Sequence, residues 1–189
     1  MAEAAKKRAT YEDLFGIPAN HVGEILFGVL YAHPRPAGRH AQASSALGGE
    51  LERPFKRGKG GPGGWIILDE PELHLGPEPD ILVPDLAGWR RERMDRVGEQ
   101  TSFRLAPDWV CEVLSPSTQA IDRSDKMDIY ARESVKHLWL VDPTVRTLET
   151  YRLESSHWTR LGTWRDAALV RAEPFDAIEL ELAALWEVE

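Results

Sequence analysis

The sequence contains a single cysteine, Cys111, no long apolar run and no excess of positive charge. One cysteine excludes an internal disulfide, which fits a reducing cytoplasm. The apolar runs are a few residues long, whereas a transmembrane helix needs about 20 residues. The start, MAEAAKKRATYEDL, has basic residues but lacks the apolar segment of a secretory signal. We therefore expect a cytoplasmic protein without a membrane segment.

The formal net charge of −8 over 189 residues sets a second limit. A strongly basic composition would indicate nucleic acid as the partner, and this chain lacks it. An acidic excess suits a site in which carboxylates surround a cation, and it equally serves solubility. Charge alone leaves both explanations open.

The order of apolar segments predicts one mixed α/β domain over residues 10–189, after a disordered tail over residues 1–9. The segment WVCEVL is the best strand candidate, and a helix followed by the strand HLWLVD comes after it. This succession is long enough for a right-handed parallel crossover. Residues 22–33 are expected to form a hairpin or a bent strand, with Gly28 at the bend. The remaining expectations are a helix over 39–53, a flexible loop over 56–64, strands over 65–70 and 81–83, a charged loop over 88–100, the crossover helix over 119–133, a strand pair over 146–152 and 157–163, and a closing helix over 179–186.

Glu112 is the first candidate functional residue, because it interrupts the apolar strand WVCEVL. Burying an ionised carboxylate in a covered strand costs free energy on the order of several kcal/mol, unless the carboxylate is paired with a cation or bound to a metal ion. Glu112 therefore lies at a strand end near solvent, pairs with an internal cation, or ligates a hard metal ion. Cys111, its neighbour, is expected to face the opposite side as a core residue.

Asp80 is the second candidate, because Pro79-Asp80 leads directly into the apolar run Ile81-Leu82-Val83. An aspartate after proline is often only a turn residue. If its strand neighbours that of Glu112, however, the two carboxylates could share a hard divalent cation such as Mg²⁺. Such an ion polarises a phosphoryl oxygen and activates water.

Lys126 is the third candidate, because it lies one helical turn from Asp122 and one from Tyr130. It could be a solvated lysine paired with Asp122. Alternatively, it points towards the two carboxylates, where its ammonium group would stabilise a phosphate in the transition state or orient the attacking water.

These residues resemble a known family. Pro79-Asp80 and Glu112-Val113-Leu114 are similar to the core of PD-(D/E)XK nucleases. More specifically, EVLSPST, then Asp122, Lys126 and Tyr130, then HLWLVDP, resembles the Uma-type family of restriction endonucleases. GEILFG, PAGRH and the ending ELELAALW follow in the same order, so the resemblance covers about residues 10–188.

The resemblance implies a restriction-endonuclease-like fold, a mixed β-sheet core flanked by helices with an N-terminal hairpin extension. It also implies roles for particular residues. Asp80 and Glu112 match the metal-binding acids, and the Val113 carbonyl would be a further ligand. Glu24 would reach the metal through water, and His40 would contact phosphate or assist proton transfer.

One departure from the superfamily pattern concerns its lysine, because the position two residues after Glu112 holds Leu114. In the Uma-type family this lysine comes from the next helix, which makes Lys126 the replacement. The implied function is Mg²⁺-dependent hydrolysis of DNA, with Mn²⁺ as a possible substitute, by a homodimer. The alternatives are a non-catalytic DNA-binding or protein-interaction member of the fold and a hydrolase of another phosphate ester.

Two basic segments lie outside these motifs. The first contains Lys56, Arg57 and Lys59, and the second contains the arginines of residues 90–96. Both are typical of solvated loops, and both could equally contact a DNA backbone.

Overall fold

The fold is a mixed α/β arrangement of two larger β-sheets and short helices, in a computed structural model that describes residues 8–35 and 37–186. The helices are α1 (Tyr11–Leu14), α2 (Gly38–Leu51), α3 (Gln119–Asp122), α4 (Asp125–Arg132) and α5 (Ala183–Trp186). The strands are β1 (His21–Leu26), β2 (Val29–Pro34), β3 (Trp65–Asp69), β4 (Leu73–Leu75), β5 (Asp80–Leu82), β6 (Leu86–Arg90), β7 (Trp109–Val113), β8 (His137–Asp142), β9 (Thr147–Glu154), β10 (His157–Arg165), β11 (Leu169–Val170) and β12 (Leu180–Glu181).

The larger sheet has the strand order β10-β9-β8-β7-β6-β3. Only β7 and β8 are parallel in it, and α3 and α4 connect them. The predicted parallel crossover is therefore confirmed, and so is the mixed sheet. The smaller sheet, β2-β1-β5-β4, begins with the predicted hairpin. Phe27 and Gly28 both have positive φ in its two-residue turn, a geometry that favours glycine.

Strand β7 is covered on both faces, as its apolar sequence predicts. Trp109, Cys111 and Val113 pack on the side of α2 and α5, in one buried cluster. Val110 and Leu114 pack on the opposite side with α4 and the smaller sheet. By strand alternation Glu112 belongs to this second side, away from Cys111.

Gly88 allows the sheet to pack closely around β6. A Cβ atom there would lie 3.1 Å from a ring carbon of Trp109 and 3.2 Å from one of Trp65. Both distances are shorter than ordinary van der Waals contact. The two indole rings therefore use the space that a side chain at position 88 would need.

Several predicted boundaries differ from the structure. The helix over 119–133 is divided, because Ser124 has non-helical dihedral angles and its hydroxyl donates to the Ala120 carbonyl over 2.7 Å. The charged loop over 88–100 begins only after Arg90, since β6 pairs with β3 up to that residue. Helix α2 continues as a π-helical turn, Glu52–Lys56, where Pro54 has no N–H to donate. The closing helix over 179–186 is β12 followed by α5.

Most of the predicted tail, residues 1–7, lies outside the described residues. Ala9 donates a backbone hydrogen bond to the Gly28 carbonyl over 2.8 Å, and Arg8 pairs with Glu78 at 3.0 Å. Among the described helices, none has the length and apolar character needed to cross a membrane.

Candidate active site

Lys126 is buried on α4 and faces β7 rather than solvent. Its Nζ lies 3.0 Å from Glu24 Oε1, 3.2 Å from Glu112 Oε2 and 3.2 Å from Asp122 Oδ1. All four side chains are no more than 4 % exposed. Lys126 therefore pairs with Asp122 and also approaches Glu112, the two contacts that the sequence analysis treated as alternatives. Lys126 is the cation of a buried acidic cluster.

Tyr130, one turn after Lys126, completes the surroundings of Glu112. Its hydroxyl donates to Glu112 Oε1 over 2.6 Å, while Lys126 donates to Oε2. Glu112 therefore has a partner on each oxygen, both supplied by α4. The amphipathic pattern of α4 causes this, since Lys126 and Tyr130 lie on the face that also buries Ile129.

The charges of this cluster are strongly coupled. Burial raises the pKa of Glu112 well above its ordinary value, and the positive charge of Lys126 only partly opposes that effect. Burial lowers the pKa of Lys126, but attraction to Glu112, Glu24 and Asp122 outweighs it and the net shift is upward. One ammonium group cannot neutralise three ionised carboxylates. The cluster therefore favours either a bound proton or a further cation.

Asp85 lies next to this cluster, although the sequence analysis did not select it. Its Oδ2 accepts a hydrogen bond from the Val113 backbone N–H over 2.7 Å, directly beside Glu112 in the chain. Its Oδ1 lies 3.2 Å from Nε2 of His40, which α2 carries in its first turn. Burial is the largest single influence on the pKa of His40 and lowers it. The hydrogen bond and charge of Asp85, with smaller contributions from the Val113 backbone and the charge of Asp122, together outweigh burial, so the net shift of the pKa is upward.

A cavity of about 290 Å³ joins these groups. Its carboxyl groups outnumber the lysine and arginine side chains by five to two. The polar residues that line it include Glu24, Glu70, Asp85, Glu112, Asp122, Lys126, Arg35, His33, His40, Ser115, Ser117 and Thr118. The structure thus brings together Glu112, Val113, Lys126, Glu24 and His40 of the residues that the sequence analysis selected.

Asp80 is the selected residue that does not line this cavity. Its Oδ1 accepts the backbone N–H of Phe27 over 2.5 Å, and its Oδ2 lies 2.7 Å from Nη2 of Arg132. Asp80 therefore ties the β1–β2 turn to the last turn of α4. Asp80 was expected to lie beside Glu112. The aspartate that lies there is Asp85, through its contact with the Val113 N–H.

The signal that could have identified Asp85 is a second Pro-Asp pair. Residues 79–80 and 84–85 carry the same dipeptide, and only the second one opens β6, the immediate neighbour of β7. Asp85 is opposite the carboxyl end of β7 because β6 and β7 are antiparallel, with Leu86 paired to Cys111.

The donor atoms at this position fit a hydrated divalent cation. Asp85, Glu112 and the Val113 carbonyl supply hard oxygen atoms, which Mg²⁺ prefers. Within residues 8–35 and 37–186, no three His, Cys, Asp or Glu side chains form a closed metal-binding group. Mg²⁺ does not need one, since proteins commonly hold it with one or two carboxylates and leave the remaining positions to water and phosphate.

Comparisons with known proteins show the family of this chain. No curated protein matches the chain. A solved structure described as a "putative nuclease belonging to DUF820", from Anabaena variabilis ATCC 29413, is similar with a TM-score of 0.74 at 21 % identity. The match covers 94 % of this chain and 97 % of the other, and at this identity it shows the fold alone. The model of the Uma2 family, "Putative restriction endonuclease", matches residues 9–184, and the chain therefore belongs to that family.

Proposed function

We propose that the protein is a Mg²⁺-dependent endonuclease that hydrolyses phosphodiester bonds of DNA. The observation that carries this proposal is the contact between the Val113 N–H and Asp85, which fixes an aspartate beside Glu112 at the end of two neighbouring strands. Family membership supports the reaction class, and the buried lysine beside Glu112 supports a phosphate substrate.

Asp85, Glu112 and the Val113 carbonyl would hold the metal ion. Asp85 takes the place in the ligand set that the sequence analysis gave to Asp80. When bound, the ion would supply a Lewis acid for the phosphoryl oxygen and lower the pKa of a coordinated water. The cavity has more carboxyl groups than cationic side chains, so a DNA phosphate would be repelled from it unless a cation were present.

The protein's own residues would stabilise and position the phosphate. Three neighbouring acids keep Lys126 in its protonated, positively charged form. Its ammonium group would therefore stabilise the negative charge that develops on the phosphate in the transition state. Glu24 makes its contacts with Lys126 and the Val83 N–H through Oε1, and its Oε2 would orient a water molecule. His40, whose pKa Asp85 raises, would donate a hydrogen bond or a proton to a phosphate oxygen.

The alternative is a non-catalytic DNA-binding member of the same family. The observation that favours it is that both carboxylate oxygens of Glu112 already accept hydrogen bonds, one from Tyr130 and one from Lys126. In that case Glu112 would serve only to hold α4 on β7. The homodimer and the cytoplasmic location remain predictions.

Plasmid cleavage separates the two functions. Purified protein is incubated with supercoiled plasmid in Mg²⁺ or Mn²⁺, beside the Glu112→Gln and Asp85→Asn variants. The endonuclease requires metal-dependent nicking or linearisation by the wild type and a loss of at least about 100-fold in both variants, the usual order for a group acting in the transition state. Equal cleavage by wild type and Glu112→Gln would sink the proposed site. Folded protein without cleavage under any metal would favour the non-catalytic member.

A further inference from the structure

The two basic segments of the sequence meet at one end of the larger sheet. Trp65 of β3 pairs with Arg90 of β6, and the Arg91 N–H donates to the Gly64 carbonyl over 2.9 Å. The loop before β3 is folded back on the π-helical turn that follows α2, since Lys59 N–H donates to the Arg53 carbonyl over 2.9 Å. We call this the distal basic surface, formed by residues 53–59 and 90–96.

The cations of this surface are largely available to a ligand. Arg53, Lys59 and Arg91 are exposed, and none of them has an ion pair with a described residue. Arg90 lies over the Trp65 ring, 4.2 Å from its centroid, which fixes its guanidinium group without neutralising it. Within the described part of the chain, only Arg57 and Arg93 of this surface are paired with acids, Glu52 and Asp108 respectively.

This surface is a local exception in an acidic chain. Residues 52–64 hold four cations and one acid, and residues 89–100 hold four cations and three acids, whereas the chain as a whole has a net charge of −8. Solubility at that net charge does not require a basic region. A polyanionic partner explains the clustering better.

The distance from the cavity fits a duplex. Asp69 and Asp85, at the other end of β3 and before β6, line a second cavity that also contains His40 and extends along α2 to Lys56. The four residue steps from Asp69 to Trp65 span about 13 Å at roughly 3.3 Å each. Phosphates of one DNA strand advance about 3.4 Å per base pair along the helix axis. The Arg90 end of this surface therefore lies, along β3, about four base-pair steps from Asp69 at the cavity.

We propose that the distal basic surface binds the phosphate backbone of duplex DNA about four base pairs from the cleaved bond. This deepens the proposed function, on which it rests for the identity of the substrate. The surface would hold the duplex before a metal ion makes the acidic cavity accessible to it. Contacts of this kind fix position and carry no sequence information.

Fluorescence anisotropy with a labelled duplex in EDTA tests the proposal without cleavage. The test variant is Lys59→Glu/Arg91→Glu. The matched control is Arg160→Glu/Arg165→Glu, which makes the same charge change at exposed positions of β10, the opposite edge of the sheet. The neutral variant Lys59→Gln/Arg91→Gln separates lost contacts from added repulsion, and thermal unfolding checks that every variant is folded.

The proposal expects the test variant to weaken binding at least about tenfold at low salt. It also expects a slope of log K against log salt that is smaller by roughly two, since each lost phosphate contact removes about 0.9. The control should change binding less than about twofold, and the neutral variant should lie between them. Equal loss in test and control, or wild-type binding too weak to detect at low salt, would overturn it.

Failure of the surface and failure of the catalytic function are distinguishable. Duplex binding that depends on Lys59 and Arg91, without cleavage in Mg²⁺ or Mn²⁺, would leave the surface and remove the nuclease. Cleavage that depends on Glu112, together with equal DNA binding by the test and control variants, would keep the nuclease and remove the distal basic surface as its binding site.

Discussion

Asp80 and Asp85 show how strongly the surroundings decide the function of a residue. Both follow proline, and both accept a backbone N–H. The second partner differs, because Asp80 is bound by an arginine, whereas Asp85 is beside a histidine in a cavity that is open to a ligand.

Metal binding should therefore distinguish the two aspartates. Asp85→Asn is expected to weaken Mn²⁺ binding at least about tenfold, since it removes an ionised oxygen ligand. Asp80→Asn is expected to bind Mn²⁺ like the wild type and to unfold at a lower temperature. Isothermal titration calorimetry and thermal unfolding measure these effects. If Asp80→Asn weakened Mn²⁺ binding and Asp85→Asn did not, Asp80 rather than Asp85 would be the metal ligand.

Lys126 should contribute to stability as well as to the proposed reaction. Lys126→Met leaves three buried carboxylates without their cation, and breaking a buried pair in this way costs about 3–5 kcal/mol. Chemical denaturation of the metal-free protein measures the loss. Mn²⁺ should restore part of it, because it supplies positive charge to the same cluster. Lys136→Met, at an exposed position, is the control and should change little; equal stability of the two variants would contradict the buried cluster.

At the residue scale, the sequence identified Glu112 and Lys126 for a physical reason. A carboxylate within an apolar strand needs a partner, and a lysine on the next helix can supply one. Asp85 was missed because the choice between two Pro-Asp pairs depends on which strand neighbours β7. That pairing is a long-range contact, and local pattern does not determine it.

At the scale of elements, α4 carries Lys126 and Tyr130 into the site, and Asp80 secures its end. Arg132 is the last residue of α4, and Tyr31 donates to Asp125 at its start over 3.3 Å. Met127 accepts a hydrogen bond from the Trp158 indole over 2.9 Å. These contacts connect α4 to both sheets, so the position of Lys126 depends on them.

Arg132→Leu should loosen α4. It leaves the buried Asp80 carboxylate with an unsatisfied oxygen, which costs about 1–3 kcal/mol. Hydrogen exchange should become faster in residues 125–132, as measured by mass spectrometry. Arg152→Leu removes a partly exposed arginine of β9 that pairs with Glu154 and Glu173, and it should leave exchange in α4 unchanged. Protection of α4 equal to the wild type in both variants would show that Asp80 does not secure it.

Element types were predicted better than element ends. The crossover from β7 to β8 followed from two apolar strands around a helix, and the hairpin followed from Gly28 in its turn. The division between α3 and α4 was not predicted, because Ser124 is compatible with a helix and only its observed backbone angles interrupt it.

For the whole molecule, pH should affect stability through His137. Burial lowers the pKa of His137 below its ordinary value of 6.5. The unfolded chain therefore takes up this proton first as the pH falls below about 6.5, and the free energy of unfolding decreases until the lower folded pKa has been passed.

The His137→Gln variant should show a flatter decrease in the free energy of unfolding between about pH 7 and pH 5. Denaturant titrations at several pH values measure the slopes. His157→Gln, at an exposed position, is the control and should keep the wild-type slope. A wild-type slope in the His137 variant would mean that burial does not disfavour its protonation.

The overall fold was predicted from a family resemblance that extends over most of the chain, whereas composition and net charge gave only broad limits. A net charge of −8 does not reveal that cations collect at one end of β3 and β6 and acids at the other. That separation arises from strand pairing, which places Arg90 beside Trp65 and Asp69 beside Leu86.

Gly88 makes the site sensitive to substitution at a position that contributes no side chain to the cavity. It lies between two indole rings on β6, three residues after Asp85. A side chain there would require the two indole rings, on the strands at either side of β6, to move, and would thereby disturb the packing that holds β6 beside β7. A random mutagenesis screen for lost cleavage should therefore recover position 88 together with the acids, although no atom of Gly88 could reach the substrate.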